Sequence, residues 1–258
     1  MAAALNSLRT QVQQLRAHRG WEQLVDAYGG ANDMILSGHL RCTADKNGLH
    51  PSAAHNNILN TLAFREENRL NRSDVARVIE SARCRPYWPY AFTDSKTTDG
   101  SPVEYCRLSR LHVRAIMTTF EEEEVFHFFA LWTEQTLRLL GESVRAGAPT
   151  KGSLHVYDCR GVNWSRLFAD VRQHWSAVSR VFALGSTHWP AIASHYYVIN
   201  APYTATLLWK LLAPLCGDHV KEKVSFSRGM HPELMAALGG EAAAERMQQC
   251  SPHVATAA

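Results

Sequence analysis

The feature that most narrows the fold of this chain is an alternation. Short apolar runs that read as strands are each followed by a longer stretch patterned as a helix. LHVYDC at 154–159 and HYYVIN at 195–200 are the clearest runs; VEYCRL at 103–108 precedes them and VSF at 224–226 closes the series. Between the two central runs, Trp164, Phe168, Val171, Trp175, Val178 and Phe182 recur at steps of four and three, so they share one helical face, and Gly185 is expected to end that helix. Before LHVYDC, a second stripe runs through Val125, Phe128, Phe129, Trp132, Leu139 and Leu140. Thr119 and Glu122 have the Thr-x-x-Glu spacing of a capping box, and the acids Glu121 to Glu124 sit where the helix dipole favours negative charge. Adjacent carboxylates splay around a helix, so this run reads as a first-turn cap and not as a metal site. Strands joined through helices pair in parallel. The expected class is therefore α/β, a mostly parallel sheet covered by helices.

The N-terminal part reads differently. Residues 4–27 and 52–84 are patterned as helices, with a Gly-rich stretch from Gly29 to Gly48 between them. Residues 85–102 carry Pro86, Pro89, Pro102 and an Asp99-Gly100 turn, which separates a helical lobe from the α/β part. The organisation expected is an N-terminal helical extension over 1–50, a helical lobe over 51–100, the main domain over 101–240 and a C-terminal tail over 241–258. No repeat or low-complexity tract interrupts it. The first segment lacks any acid before Glu22 and carries Arg9, Arg16 and Arg19, with Leu5, Leu8, Val12 and Leu15 at helical spacing. It resembles a mitochondrial presequence, and it reads equally as an amphipathic helix of the folded protein.

Composition removes several function classes. Hydrophobic residues make up 46% of the 258, which is enough to build a core, and the net charge of +3 is too small to argue for nucleic acid. No apolar run approaches the roughly 20 residues that cross a bilayer, so contact with a membrane is expected to be peripheral. Cys42, Cys84, Cys106, Cys159, Cys216 and Cys250 form no CxxC pair and no zinc spacing, and read as free thiols. The 13 histidines match no ligand motif, and no nucleophile elbow, phosphate loop or dinucleotide fingerprint is present. Asp158, at a strand end, reads as a turn residue. Catalytic residues, metal and cofactor are all expected to be absent.

The helix after Pro202 is unusual. ATLLWKLLAPL at 205–215 is apolar nearly all round, with Lys210 its one charge and Pro214 near its end. A surface helix should show a polar face. Either this one is buried in the core, or one face meets the sheet while the other meets a hydrocarbon ligand or a membrane.

The order of these residues resembles the CRAL-TRIO family of lipid-binding domains, of the phosphatidylinositol- and tocopherol-transfer type. The resemblance rests on Trp189-Pro190, the strand ending in Asn200-Ala201-Pro202, the apolar helix to Pro214, and Lys223 before the next strand. Upstream, Asp158 to Gly161 resembles the family's Asp-x-x-Gly strand end, SPVEYC its Arg-Pro-Val strand, and Gly239-Gly240 its Gly-Gly pair. The resemblance spans about 62–240. It departs at the headgroup site. Ala191 and Ile192 stand where phosphoinositide binders carry Glu-Arg, and Val220 stands where they carry Thr. In the basic run of the N-terminal lobe only Arg69 keeps its charge, and Lys223 is the matched headgroup residue that remains. Inositol-phosphate recognition is accordingly not expected, because a phosphate wants several convergent donors.

What the resemblance implies is a pocket roofed by a movable gate helix and holding one hydrophobic lipid or phospholipid. The residues expected to bind it are Tyr105, Phe129, Val156, Tyr197, Ile199, Leu207, Leu208, Leu211, Leu212 and Lys223. The expected function is non-enzymatic binding of a lipid and its transfer between membranes, in the cytoplasm with peripheral membrane contact. The alternative is an interaction subunit of a larger assembly that keeps the fold without lipid transfer and has protein partners, with a mitochondrial location as the alternative to the cytoplasm. No nucleic-acid partner is expected.

Overall fold

The computed structural model describes residues 1–250. Five helices come first: α1 (Ala2–Val12), α2 (Arg19–Ala27), α3 (Asn32–Cys42), α4 (Pro51–Glu67) and α5 (Val75–Ser81). Then follow β1 (Tyr90–Lys96), β2 (Pro102–Arg107), α6 (Val113–Thr119), α7 (Glu122–Arg145), β3 (Ser153–Asp158), α8 (Trp164–Gln173), α9 (Trp175–His188) and β4 (Ala193–Ile199). The chain closes with α10 (Tyr203–Leu212), α11 (Asp218–Lys221), β5 (Val224–Phe226), α12 (Pro232–Leu238) and α13 (Glu241–Gln249).

The strands form one sheet in the order β1-β2-β3-β4-β5. The four strands expected from sequence are parallel to one another, and β1 adds an antiparallel edge. That edge strand lies inside the proline-bearing 85–102 segment, so the sheet begins before residue 101. Its alternation is weak because its far half, Thr93 to Lys96, is polar, and a bulge falls between Phe92 and Lys96. A charged, bulged edge resists pairing with a second chain. At the other edge, β5 is only three residues long.

Three helix expectations change. Thr119 does not cap α7: it is the last residue of α6, Phe120 is extended, and Glu121 takes the cap position without a side-chain bond. The acids of the first turn remain and find a guanidinium, since Arg180 on α9 holds Glu123 at 2.6 and 3.0 Å. The single helix read from Trp164 to Phe182 is two, broken at His174, and α9 runs past Gly185 to His188. The stretch from Gly29 to Gly48 holds a full helix, α3, whose Ile35, Leu36 and Leu40 are buried. Of the expected C-terminal tail, residues 241–249 form α13, and residues 251–258 lie outside the described residues.

The helices α12 and α13 cover one face of the sheet, which we call the back; α7 covers part of the other. The first segment folds into the N-terminal lobe, with Leu8, Val12 and Leu15 buried. The lobe docks on α7 and α9 through two unlike contacts. Arg65 on α4 meets Glu134 on α7 at 2.5 and 2.9 Å, both side chains buried, and Asn71 accepts from the same guanidinium. A buried charge is tolerable only when paired and hydrogen-bonded in this way. At the second contact the backbones nearly touch: a Cβ on Gly141 of α7 would lie 2.2 Å from the Ala27 carbonyl oxygen, so no larger residue fits.

Two neutral histidines sit in the seam between α3, α4 and α9. His188 stacks on Phe64 with ring centroids 4.1 Å apart, and its Nδ1 lies 3.2 Å from the Thr61 hydroxyl. Burial pushes its imidazole down to about 4. Burial, reinforced by His188, pushes that of His39 down to about 3. Both stay neutral in the folded protein, whereas the unfolded chain takes up protons near pH 6.5. Stability is therefore full above that value and is lost as pH falls toward the folded values. We expect urea midpoints to drop between pH 7 and pH 5, with His39 alone contributing about 2 kcal/mol of the loss. His39→Leu should flatten the slope over that interval; an unchanged slope would mean the imidazole already titrates normally in the fold.

Candidate functional site

The register of the sheet fixes what each face presents. Tyr90, Cys106, Tyr157, Val198 and Phe226 lie side by side across all five strands, and Phe92, Glu104, His155, Tyr196 and Val224 form the next row on the same face. We call this face the front. Over its β1–β3 side α7 packs directly, with Trp132 stacked on Phe92 at 4.3 Å. Elsewhere the front face opens into a cavity of about 350 Å³. Tyr157, Tyr196 and Val198 form its floor, and α6, α8, α9 and α10 contribute walls through Ile116, Leu167, Phe182 and Leu208.

The walls hold their shape because the helices pack on each other as well as around the space. Leu208 of α10 is buried against Leu167 and Val171 of α8 and Val113 of α6. Asn163 caps α8, its side chain accepting from the Arg166 amide at 3.0 Å. Pro202 supplies the cap of α10, and Pro214 falls in a short 3-10 turn that ends it. The outer face of α10 is different: Tyr203, Leu207 and Leu211 are 70%, 39% and 41% exposed.

Polar groups in and below the cavity are few. Burial pushes the hydroxyls of Tyr90, Tyr157 and Tyr196 above their ordinary value, and the Glu104 carboxylate on the same face adds to it. Glu104 accepts from Trp132 Nε1 and Thr136 Oγ1, both at 3.0 Å, and lies 3.4 Å from His155 Nδ1. His155 Nε2 is 2.8 Å from the Ser153 hydroxyl. That hydroxyl–imidazole–carboxylate order resembles a nucleophile relay. Ser153, however, is wholly buried, lies within reach of the Ile192 carbonyl at 2.8 Å and is no part of the cavity wall. A nucleophile must reach its substrate. The trio is a buried polar wedge that ties β2, β3 and α7 together. Among the described residues, no group of three His, Cys, Asp or Glu side chains could hold a metal ion.

Lys223 lines the cavity and donates to the Ala193 carbonyl at 2.7 Å. Burial, with Arg41 nearby, lowers its pKa. The same causes, with Lys223 itself, bring His219 down to about 4.

The residues expected to bind ligand divide three ways. Phe129, Leu208, Leu212 and Lys223 line the cavity. Leu207 and Leu211 face outward on α10. Tyr105, Val156, Tyr197 and Ile199 sit on the back face, packed against Leu234, Leu238 and Met247 of α12 and α13. On the strands the expected residues share the back face and the cavity floor comes from their neighbours; both faces of these strands are apolar, and a shift of one residue exchanges them. Sequence reading missed Tyr90, Tyr157, Tyr196 and Trp209. Residue size gives no signal, since Tyr105 and Tyr197 on the back face are as large as Tyr157 and Tyr196 on the front.

Where the strands end, Asp158 gathers three elements. Its Oδ2 accepts from the Tyr105 hydroxyl at 2.6 Å and from Arg160 Nε at 2.8 Å; its Oδ1 accepts from the Arg160 amide and from Asn200 Nδ2, both at 2.9 Å. Burial alone would raise the carboxyl's pKa, and these donors together bring it below the usual value. Asn200, at φ 53°, makes the left-handed turn from β4 toward α10.

A family model described as "CRAL/TRIO domain" matches residues 90–236. The curated protein "Protein real-time" of Anopheles gambiae is 23% identical over 177 residues, which cover 67% of this chain and 25% of that protein, so the chain spans about a quarter of this relative's length. Among solved structures, the crystal structure of Sfh5 matches with a TM-score of 0.51 at 13% identity, over 87% of this chain and 78% of that one. At that identity the likeness concerns the fold.

Asp158→Ala should strip the strand-end cluster of its acceptor and leave the Tyr105 hydroxyl and the Asn200 amide unpaired in a buried site. We expect a loss of about 3–5 kcal/mol in denaturant unfolding. Hydrogen exchange at the β4–α10 junction should accelerate more than in α12; uniform acceleration would show that Asp158 does not specifically anchor that turn.

Proposed function

This chain belongs to the CRAL/TRIO domain family, and on that premise we propose that it binds a single lipid in the front-face cavity and exchanges it with membranes through movement of α10. The observation that carries the reading is the pairing of an apolar cavity with a wall helix that is apolar on both sides. Inside, Ala205, Leu208, Trp209 and Leu212 line the space; outside, Tyr203, Leu207 and Leu211 form a stripe one turn apart at each step. A lipid chain gains about 0.8 kcal/mol for each methylene it buries, so the fit needs no covalent chemistry. When α10 swings away, its outer stripe offers a bilayer the contact that a polar helix could not. Among the described residues no helix is long and apolar enough to span a membrane, and the proposed contact is peripheral.

The headgroup side of the proposal is negative. Ala191 and Ile192 are buried beneath the N-terminal lobe, the Val220 side chain cannot donate, and Lys223 already donates a hydrogen bond to the Ala193 carbonyl. One partly committed ammonium is a poor phosphate cradle. We therefore propose weak or absent phosphoinositide binding. The open cavity favours lipid binding over a pure scaffold role, in which large aromatic side chains would be expected to fill the space.

The test separates cavity, gate and core. Gly185 is on the cavity wall, and a Cβ there would meet only Phe129 Cζ at 3.8 Å. Gly185→Leu should intrude into the cavity, raise helix propensity by up to about 1 kcal/mol and reduce co-purified lipid in native mass spectrometry with lipid extraction. Wild-type protein without lipid in the same assay would sink the binding reading. Leu211→Glu should leave melting unchanged and slow vesicle-to-vesicle transfer about tenfold or more. Leu208→Glu, buried against α8, should instead collapse the melting transition. Normal transfer by a stable Leu211→Glu variant would remove α10 from the mechanism.

A further inference from the structure

The exposed apolar side chains of this protein are not scattered. Five large ones stand in solvent among the described residues, and three of them, Tyr203, Leu207 and Leu211, lie on α10. Lys210 is exposed on the same helical face, three residues after Leu207.

The helix is one member of a layer. Val113 of α6, Leu167 and Val171 of α8 and Leu208 of α10 bury against one another, so the three helices turn their other faces to solvent side by side. Those outer faces carry Arg114, Arg166, Arg172 and Lys210, all exposed. The one acid of these helices, Asp170, is buried and lies 3.7 Å from Arg166. Among the described residues, Arg114, Arg172 and Lys210 form no salt bridge. The net charge of the whole chain is +3, and this layer accounts for as much by itself. The far side of the sheet has the opposite sign: α12 and α13 expose Glu233, Glu241 and Glu245 against Arg246 alone.

These two properties narrow what covers the layer. A second copy related by a twofold axis would set the same patch against itself and bring unpaired cations face to face. A neutral bilayer would take the apolar stripe and leave the cations without a counterpart. An anionic bilayer meets both: its acyl boundary takes Tyr203, Leu207 and Leu211, and its headgroups lie where Lys210 and the arginines reach them along their own aliphatic stems.

We propose that the outer face of α6, α8 and α10 is a docking surface for membranes rich in anionic lipid, with the α10 stripe entering the interface and Arg114, Arg166, Arg172 and Lys210 meeting the charged headgroups. This rests on the lipid-exchange reading above and specifies the membrane with which exchange takes place. The acidic back face adds orientation, since an anionic surface attracts one side of the molecule and repels the other.

Vesicle flotation with the full chain tests it. At low salt, vesicles of phosphatidylcholine mixed with phosphatidylglycerol should bind the protein about a hundredfold more tightly than phosphatidylcholine alone, at about fivefold for each cation near the surface. Added salt should shrink that difference. Arg172→Gln combined with Lys210→Gln should weaken binding to the mixed vesicles about twentyfold, leave binding to pure phosphatidylcholine within about twofold and leave melting unchanged. Lys151→Gln, outside this layer, should alter neither affinity. Equal affinity for the two vesicle types, or a double variant that binds mixed vesicles like the unmutated chain, would overturn the charge assignment and leave lipid exchange standing. A dimer in sedimentation velocity that Leu207→Glu dissociates would overturn it as well, by giving the stripe to a second copy. Absence of binding to either vesicle type, with no vesicle-to-vesicle transfer, would remove the exchange reading along with it.

Discussion

The architecture hinges on one buried carboxylate. Asp158 is wholly buried at the end of the central strand, a position whose desolvation is unfavourable unless every lone pair is used. Donors from β2, from the turn after β3 and from the end of β4 use them. The consequence is geometric. The strands finish at a common line, and Asn200 is held in the left-handed conformation that sends the chain up into α10. The start of α10 is thereby fixed, while its far end rests on a proline-containing turn. The proposed lipid exchange asks α10 to move, and this arrangement makes its first turn the fixed end of that movement.

The α/β class and the four parallel strands were legible because their apolar runs and helical stripes have different periods. The edge strand was not: only Tyr90, Ala91 and Phe92 show alternation before polar residues take over, and three flanking prolines read as loop. The position of α3 was masked by glycines at either side, although Ile35, Leu36 and Leu40 keep helical spacing within it. The capping-box spacing at Thr119 was a coincidence of two helices meeting, since α6 ends where the box begins.

The cavity was legible in kind and not in detail. Apolarity around the whole of 205–215 left open a core helix or one that meets a ligand or membrane; in the structure its inner face lines the cavity and Tyr203, Leu207 and Leu211 are exposed. Which strand residues face the space could not be read, since Tyr105, Val156, Tyr197 and Ile199 are as apolar as Tyr157, Tyr196 and Val198. Parity in a sheet with both faces buried is settled by what packs on each face, and α12 and α13 come after the strands they cover.

The contact between Gly38 and Ala191 bears on how such a site can change over time. A Cβ on Gly38 would fall 2.6 Å from that of Ala191, so α3 lies against the turn after Trp189 with no space between them. A Glu in place of Ala191 would drive a charged side chain into a helix of the N-terminal lobe, and the lobe is anchored elsewhere by the Arg65–Glu134 pair and the Gly29–Gly141 crossing. That turn can take a longer side chain only if α3 lifts with it, so Gly38 and Ala191 constrain one another and neither can grow alone.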